Sequence, residues 1–169
     1  IPDNGNLFGG WAGKCHGAQT IVVNVNTEEE CSAVFVPVNS GQPATLLFLN
    51  SQRGDVMGEG AREVYAPPQS VFAASVLNNG RAVSITFDSP GETTMASWTL
   101  SFAAPDGQLL VPGDYPNTGE FLFPPAGMAG MEVARRGRAC FGTGKFVVHE
   151  ITITGATLAS LALDFERAA

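Results

Sequence analysis

The sequence predicts an all-β protein, an antiparallel β-sandwich of the immunoglobulin-like or jelly-roll-like kind with about ten short strands and little or no helix. Runs rich in Val, Ile, Thr and Phe recur along the chain, and breaks containing Gly, Pro, Asn or Asp separate them. Helical periodicity is almost absent. The twenty glycines and eleven prolines follow no period, which excludes collagen and indicates many turns.

Composition favours a compact folded body. A chain of 169 residues with 44% hydrophobic and 15% charged residues can build a real core, since a domain of this size buries roughly 70% of its unfolded surface. The net charge of −7 disfavours nucleic acid and anionic membranes as partners, because both attract basic surfaces. No apolar run approaches the roughly 20 residues that span a bilayer.

The predicted strands follow the apolar runs in chain order. Their spacing is that of a sandwich or a barrel, in which short strands alternate with turns. The longer runs cover residues 20–26, 32–38, 44–50, 70–77, 82–87, 95–103, 145–154 and 157–165, and shorter ones lie near 63–65, 120–123 and 131–134.

Residues 1–43 differ from the rest of the chain and are predicted to be an N-terminal extension of a sandwich domain that covers 44–169. Their first part is rich in Gly and Asn, and its aromatic residues have no strand pattern around them. Two β-like runs follow, separated by three glutamates. The extension is expected either to add strands to its own sandwich or to reach a neighbour, with Phe8, Trp11, Val23 and Val25 as interface candidates.

The final hairpin is the clearest local unit. Gly155-Ala156 supplies the Gly that a type II′ turn requires at its first central position. The resulting register places Phe146 and Val148 on the core face, opposite Phe165 and Leu163. The opposite face is then half apolar and is expected to need a cover. Its interface candidates are His149, Ile151, Ile153 and Leu158.

Three cysteines leave the pairing open. Cys15 and Cys31 are sixteen positions apart, and a bridge between them would stabilise the fold by about 3 kcal/mol in the chain-entropy model. Cys140 is then left over, either as a thiol or paired with another chain. The chain opens on Ile1 and not on Met, which is compatible with export and cleavage of a leader. A secreted or cell-surface location is therefore expected.

No catalytic motif is present. His149 has no acid or nucleophile fixed near it by spacing, and His16 beside Cys15 lacks the further ligands of a zinc site. Asp55 and Glu59 lie in a Gly-rich loop and are weak candidates for calcium ligands; the alternative is that the glycines permit a tight turn and Asp55 caps it. The expectation is a protein without enzymatic activity, resident metal or other cofactor.

Several motifs in order carry a resemblance over residues 44–166. They are the loop Gly54-Asp55-Val56-Met57-Gly58-Glu59-Gly60, the stretch SWTLSFAAPDGQLLVPGDY at 97–115, the loop Gly137-Arg138-Ala139-Cys140 and the strand Gly144-Lys145-Phe146-Val147-Val148. This order resembles a β-sandwich domain that recurs in secreted proteins of environmental bacteria.

The resemblance implies an accessory region of an exported protein without an assigned activity. Relatives often carry a cysteine after the closing Phe-Glu, as a natural partner for the loop cysteine. Here Phe165-Glu166 is followed by Arg-Ala-Ala. The resemblance therefore implies a different partner for Cys140, in Cys15, in Cys31 or in another chain.

These motifs are mostly structural in physical terms. Trp98, Leu100 and Phe102 alternate with small polar residues, which predicts one buried face. Pro105-Asp106-Gly107 has turn chemistry. Gly113 before Tyr115 predicts a tight corner that the tyrosine hydroxyl closes by hydrogen bonding.

The function expected from the sequence is that of a non-catalytic extracellular structural or adhesive module. The β-like runs of the extension would complete a neighbour's sheet, so that copies form a filament or another assembly. The alternative is a carbohydrate-binding accessory module, with or without the assistance of calcium. Its partners would then be polysaccharides rather than copies of itself or another extracellular protein.

Overall fold

The computed structural model describes residues 6–13, 31–37, 45–55, 57–58, 60, 62–67, 70–88, 97–135, 137–140 and 142–168. These residues form twelve strands and two single-turn 3-10 segments, so the predicted all-β class is confirmed. No helix in these ranges is long and apolar enough to cross a membrane. The chain divides into two compact units, Ile1–Pro67 and Pro68–Ala169, a division that falls after the boundary predicted at residues 43 and 44.

The first unit contains two antiparallel strand pairs. Strand β1 pairs with β2 with an irregularity between Phe8 and Gly10, and β3 pairs with β4 in an uninterrupted register. The runs near 32–38, 44–50 and 63–65 are therefore strands as predicted. Strand β1 was not predicted, because its Gly-rich sequence has low strand propensity and gains its conformation from pairing with the Val-rich β2. The run 20–26 lies outside the described residues. The bounds are β1 Asn6–Gly13, β2 Cys31–Pro37, β3 Leu47–Asn50 and β4 Arg62–Tyr65.

The described strands of the second unit form one large sheet. Its strand order is β12-β11-β8-β9-β7-β6-β5, with β10 paired to β9, and all neighbours are antiparallel except β8 and β9. The strands are β5 Val71–Leu77, β6 Ala82–Asp88, β7 Trp98–Ala103, β8 Gly113–Glu120, β9 Ala129–Arg135, β10 Arg138–Ala139, β11 Gly144–Thr154 and β12 Thr157–Arg167.

This sheet curls until its two edge strands, β5 and β12, approach one another. A Cβ built on Gly80 in the β5–β6 turn would also lie 3.6 Å from the Cδ1 atom of Ile153 in β11. The second unit is therefore nearly a barrel and not clearly a two-sheet sandwich. A strongly twisted sheet of this many strands buries its inner face against itself, so no second sheet is needed to form a core.

Three rows of inward side chains form the core on β5, β6, β7 and β9. Opposite residues of an antiparallel pair share a face, and the registers align these positions across the sheet. The β7 and β9 members of every row are buried, which confirms the predicted inner face of β7. The rows are Phe72, Phe87, Trp98 and Arg135; Ala74, Ile85, Leu100 and Val133; Val76, Val83, Phe102 and Met131.

The predicted tyrosine corner is confirmed. The Tyr115 hydroxyl donates to the Val111 carbonyl over 2.9 Å and accepts from the Val111 amide over 3.2 Å. Its ring stacks on Phe146 at 4.4 Å between centroids, and Phe146 meets Phe102 edge-on at 5.2 Å. The corner therefore links the start of β8 to the aromatic core.

Strand β8 was not predicted, and the short run near 120–123 is not a strand. Its sequence, GDYPNTGE, contains Pro, Asn and Gly, which are depleted in strands. The ladder with β11 shifts register between Gly144 and Phe146, and Pro116 lies in the matching gap on β8 between Tyr115 and Thr118. Proline is tolerated at such an irregularity because no ladder hydrogen bond is required there.

The final hairpin corrects the prediction of a half-apolar outer face. Phe146 and Val148 pair with Phe165 and Leu163 as predicted, but the register shifts between Val148 and Glu150 and again between Thr152 and Ile153. The extra residues are His149 on β11 and Ala159 on β12. Between these two bulges Ile151 lies opposite Leu161 and not opposite Ser160.

The consequence is a change of face. Since opposite residues share a face, Ile151 joins Leu161 on the core side, and Ile153 follows two residues later on the same side. The polar pair Thr152 and Ser160 takes the outer side. The predicted uncovered apolar face is therefore wrong, because a one-residue bulge exchanges the faces of a strand.

Candidate functional site

His149 has an acidic partner that spacing in the sequence did not reveal. Its Nε2 atom lies 3.0 Å from Oδ2 of Asp164, and the two side chains are 40% and 46% exposed. The bulge at His149 and the cross-strand register bring the pair together. The neighbouring Ser160 hydroxyl donates to Glu150 and not to the imidazole. The arrangement is a surface pair in which no hydroxyl or thiol of the described residues contacts the imidazole.

Asp55 organises the Gly-rich loop between β3 and β4. Its carboxylate accepts hydrogen bonds from the Ser51 hydroxyl at 2.6 Å, the Met57 amide at 2.9 Å and the Gly58 amide at 3.3 Å. The Ser51 hydroxyl oxygen in turn accepts from the Gly60 amide at 3.1 Å. A Cβ on Gly58 would lie 2.3 Å from Cβ of Ser51, so only glycine permits this close approach.

These contacts favour the ionised form of the Asp55 carboxyl group. Partial burial by itself raises the pKa of Asp55, but the hydrogen bonds from Ser51, Met57 and Gly58 outweigh it, and the pKa lies below its ordinary value. In the described loop Asp55 therefore caps a turn, which is the alternative to calcium binding considered above. Glu59, the other calcium candidate, lies outside the described residues.

The pairing of the three cysteines remains open. Cys140 is buried beside β9, where its amide donates to the Val133 carbonyl over 2.9 Å. Arg167 closes the same region by donating to the carbonyl of Cys140 through Nε and Nη2, at 3.3 and 3.2 Å. Cys15 and the side chain of Cys31 lie outside the described residues, so the pairings stay predictions. Val23, Val25 and the side chains of Phe8 and Trp11 also lie outside the described residues, so their role as interface residues stays a prediction.

Turns from three parts of the second unit meet at one end of the sheet. The Ala104 amide donates to the Arg81 carbonyl and the Leu110 amide to the Gly80 carbonyl, each over 3.0 Å, so the β5–β6 turn supports the β7–β8 loop. Oδ1 of Asp106 accepts from the Gly127 amide of the β8–β9 loop over 2.8 Å. We call this region the loop end.

The loop end contains an open depression of about 330 Å³. Three alanines, Ala82, Ala103 and Ala104, form the apolar part of its lining. This part exposes little surface, because Ala82 and Ala104 are buried. Its exposed polar part comes from the β5–β6 turn. The residues that line it are Asn78, Asn79, Arg81, Ala82, Ala103, Ala104 and Gly107.

The polar side chains of this depression have unused hydrogen-bonding groups. Three side chains of the depression form no hydrogen bond or ion pair within the part of the chain that the structure describes. They are the side-chain amides of Asn78 and Asn79 and the guanidinium of Arg81. Both asparagines adopt left-handed backbone angles, with φ of 50° and 58°. That conformation is required by the turn itself and is one that Asn tolerates. The depression thus presents donors, acceptors and a positive charge to solvent.

The β8–β9 loop exposes two large apolar side chains. Leu122 is 71% and Phe123 is 81% exposed. The loop packs closely on the backbone at Gly119 and Gly130. A Cβ built on Gly119 would lie 2.5 Å from Pro125, and one built on Gly130 would lie 2.9 Å from the Phe121 carbonyl oxygen. Exposed apolar anchors on a well-supported loop are typical of contact surfaces.

Strand β5 is an edge strand of the large sheet, and it approaches the other edge strand, β12, without pairing with it. Among the described strands it pairs only with β6, and its seven residues, VFAASVL, include no charge and no proline. Val71 is 69% exposed, and Ala73, Ala74 and Ser75 are exposed beside it. Natural edge strands usually carry charges or proline that block pairing with another chain. Strand β5 carries neither device.

Sequence reasoning missed the features that depend on tertiary contacts. Asn78-Asn79-Gly80 lies in the break between the predicted runs 70–77 and 82–87, but its approach to the β7–β8 loop could not be predicted. The edge position of β5 depends on strand order, which alternation within a strand does not encode. No family model matches the chain, and neither a curated protein nor a solved structure matches it.

Proposed function

We propose that this protein is a non-catalytic, extracellular structural or adhesive β-module that assembles by strand addition. The observation that carries the proposal is the uncharged edge of β5, which among the described strands pairs only with β6. An added strand would satisfy the backbone groups of that edge, and alternate side chains would set its register. The resemblance to domains of secreted bacterial proteins supports the extracellular setting, and the exposed Leu122 and Phe123 offer a further contact.

The core beside β5 also favours an added strand. Ala74 lies in an inward row opposite Ile85, yet Ala74 is exposed and Ile85 is only half-buried. Phe72 is half-buried although it stacks on Phe87 at 5.5 Å between centroids. The apolar inner face therefore continues to the edge, and a strand that enters between β5 and β12 would pair with β5 and shield this face from water.

The donor in this proposal is the run 20–26 of a second copy. Its sequence, TIVVNVN, places Ile21, Val23 and Val25 at alternate positions, as a strand with one buried face requires. The other β-like run of the extension belongs to β2, which already pairs with β1. Donation from one copy to the next generates an open filament unless the rotation closes a ring.

The acceptor is tested by placing charges on the edge. The double variant Val71→Lys/Ala73→Lys changes two exposed positions, and lysine on an edge strand blocks pairing. Self-association, measured by light scattering and sedimentation, should weaken at least about tenfold in the variant, which is about 1.4 kcal/mol. The matched control is Thr86→Lys/Thr152→Lys, which makes the same charge change at exposed positions of strands β6 and β11.

A mixing experiment identifies the donor. Val23→Lys/Val25→Lys should abolish donation, so each double variant alone should be monomeric. A mixture should form a one-to-one dimer, because one chain keeps its donor and the other its acceptor. Assembly through the extension is wrong if the wild-type chain is monomeric at every concentration. The β5 edge is the wrong acceptor if its lysine variant associates as strongly as the control.

A second candidate function, carbohydrate binding, is favoured by the unpartnered polar side chains of the depression. Asparagine amides both donate and accept, as sugar hydroxyls require. A glycan array run with and without calcium tests this candidate. Equal binding by Trp11→Ala and the wild-type chain would remove Trp11 from the contact.

A further inference from the structure

The geometry points to the depression at the loop end as a binding site for a uronate, a sugar ring that carries a carboxylate, within an acidic polysaccharide. This inference rests on the second candidate function, carbohydrate binding, and names its site and substrate class. The groups that would bind are the guanidinium of Arg81 and the amides of Asn78 and Asn79.

The size of the depression fits a small ligand. Its volume of about 330 Å³ lies at the lower end of the range for small-molecule sites, about 300–1,000 Å³. Ala82, Ala103 and Ala104 leave space that larger side chains would fill. The site is open to solvent, which allows a ring within a longer polymer to enter while its neighbours remain outside.

The charge of Arg81 specifies the acidic group. A guanidinium binds a carboxylate through two parallel hydrogen bonds, and within the described residues Arg81 has no carboxylate of its own. Asp106, the acidic residue of the facing loop, accepts a hydrogen bond from the Gly127 amide. The net charge of −7 disfavours a polyanion such as this one, as it does nucleic acid, so binding should strengthen with salt up to about 0.15 M, where the Debye length is about 8 Å.

The asparagines specify the hydroxyls. Each amide supplies donors and an acceptor, so vicinal hydroxyls of a ring can both donate and accept. Asn78 and Asn79 are held by the turn in a left-handed conformation, and the hydrogen bonds of Ala104 and Leu110 to the same turn support it. The backbone that carries the two side chains is therefore fixed before a ligand arrives, which lowers the part of the entropic cost of binding that comes from ordering the turn.

The test compares three probes on the full chain: a galacturonate tetramer, the neutral galactose tetramer and inorganic phosphate. Calorimetric titration should give at least about tenfold tighter binding for the galacturonate tetramer than for the neutral one. Arg81→Gln should reduce its affinity to the neutral level, and Arg81→Lys should restore part of it because the charge remains without the fork. Asn79→Gly should weaken both tetramers, and it preserves the turn because glycine tolerates positive φ.

The outcomes separate the site from the function. If neither tetramer binds, carbohydrate binding itself is wrong. If both bind equally and Arg81→Gln changes neither, the protein binds carbohydrate at another place and this site is wrong. If phosphate displaces the galacturonate tetramer at equal concentration, the depression recognises anions and not a uronate ring. Arg81 is exposed, and unchanged thermal unfolding of each variant would confirm that the fold is intact.

Discussion

Asp55 shows at the scale of a single residue why a carboxylate in a Gly-rich loop need not bind a metal. Its three hydrogen bonds come from groups two to four positions away along the chain. These donors favour the ionised carboxyl, and the close approach of Ser51 to Gly58 leaves no room for a side chain. The Gly-Asp motif is therefore explained by the turn.

The lowered pKa of Asp55 predicts a pH-dependent contribution to stability. Its folded pKa lies below the ordinary value of 3.8, so the carboxylate stabilises the fold fully at pH values above 3.8, and this contribution is lost as the pH falls through the lowered folded value. Asp55→Asn should lower the urea midpoint at pH 7, and its difference from the wild-type chain should shrink towards pH 2–3, values chosen as about one unit or more below the ordinary pKa. A constant difference across this range would contradict the ionised role.

At the scale of elements, the β11–β12 hairpin shows how two bulges alter a surface without changing the turn. The shifts at His149 and Ala159 cancel, so both ends of the hairpin keep the predicted pairing. The residues of β11 after His149 exchange faces, which carries Ile151 and Ile153 to the core side, and His149 itself contacts Asp164. The sequence of the hairpin does not predict this exchange, because the position of a bulge depends on how the two strands pair.

The start of β11 predicts a strong glycine requirement. A Cβ on Gly144 would lie 2.3 Å from Cε of Met131 and 2.4 Å from the Glu166 carbonyl oxygen. The methionine end can move, but the backbone oxygen of the paired strand cannot move freely. Gly144→Ala should therefore lower the free energy of unfolding by about 1–3 kcal/mol in urea denaturation.

The neighbouring exposed residue provides the control for this prediction. Thr143→Ala should change the unfolding free energy by less than about 0.5 kcal/mol. Equal stability of Gly144→Ala and the wild-type chain would mean that β11 and β12 are farther apart at this position. The glycine of the Gly-x-Phe-x-Val motif would then need another explanation.

At the scale of the whole molecule, net charge opposes the assembly proposed for β5. Copies that each carry −7 repel one another at low ionic strength. Raising the salt concentration from 0.01 to 0.15 M shortens the Debye length from about 30 to about 8 Å. Self-association of the wild-type chain, measured by sedimentation, should therefore strengthen with salt.

The edge variant separates this effect from non-specific aggregation. Val71→Lys/Ala73→Lys lowers the magnitude of the net charge, so electrostatics alone would favour its association. It should nevertheless remain monomeric at both salt concentrations if strand addition drives assembly. Association that weakens with salt would instead indicate ionic contacts between copies.

Local pattern in the sequence determined the all-β class, the inner face of β7, the tyrosine corner and the turn at Gly155, because alternation and turn chemistry act between residues close along the chain. It misjudged β1 and β8, whose Gly, Asn and Pro have low strand propensity and which become strands through their partners. It also expected a sandwich and an uncovered hairpin face.

Only the tertiary structure decided how far the sheet curls, which strand is left at its edge and which side chains meet at the loop end. Strand order, bulges and the approach of β5 to β12 depend on contacts between residues distant along the chain, and these are set by the packing of the whole sheet. The depression around Arg81 and the edge position of β5 both arise at that level. The proposed functions therefore rest on features that no single motif encodes.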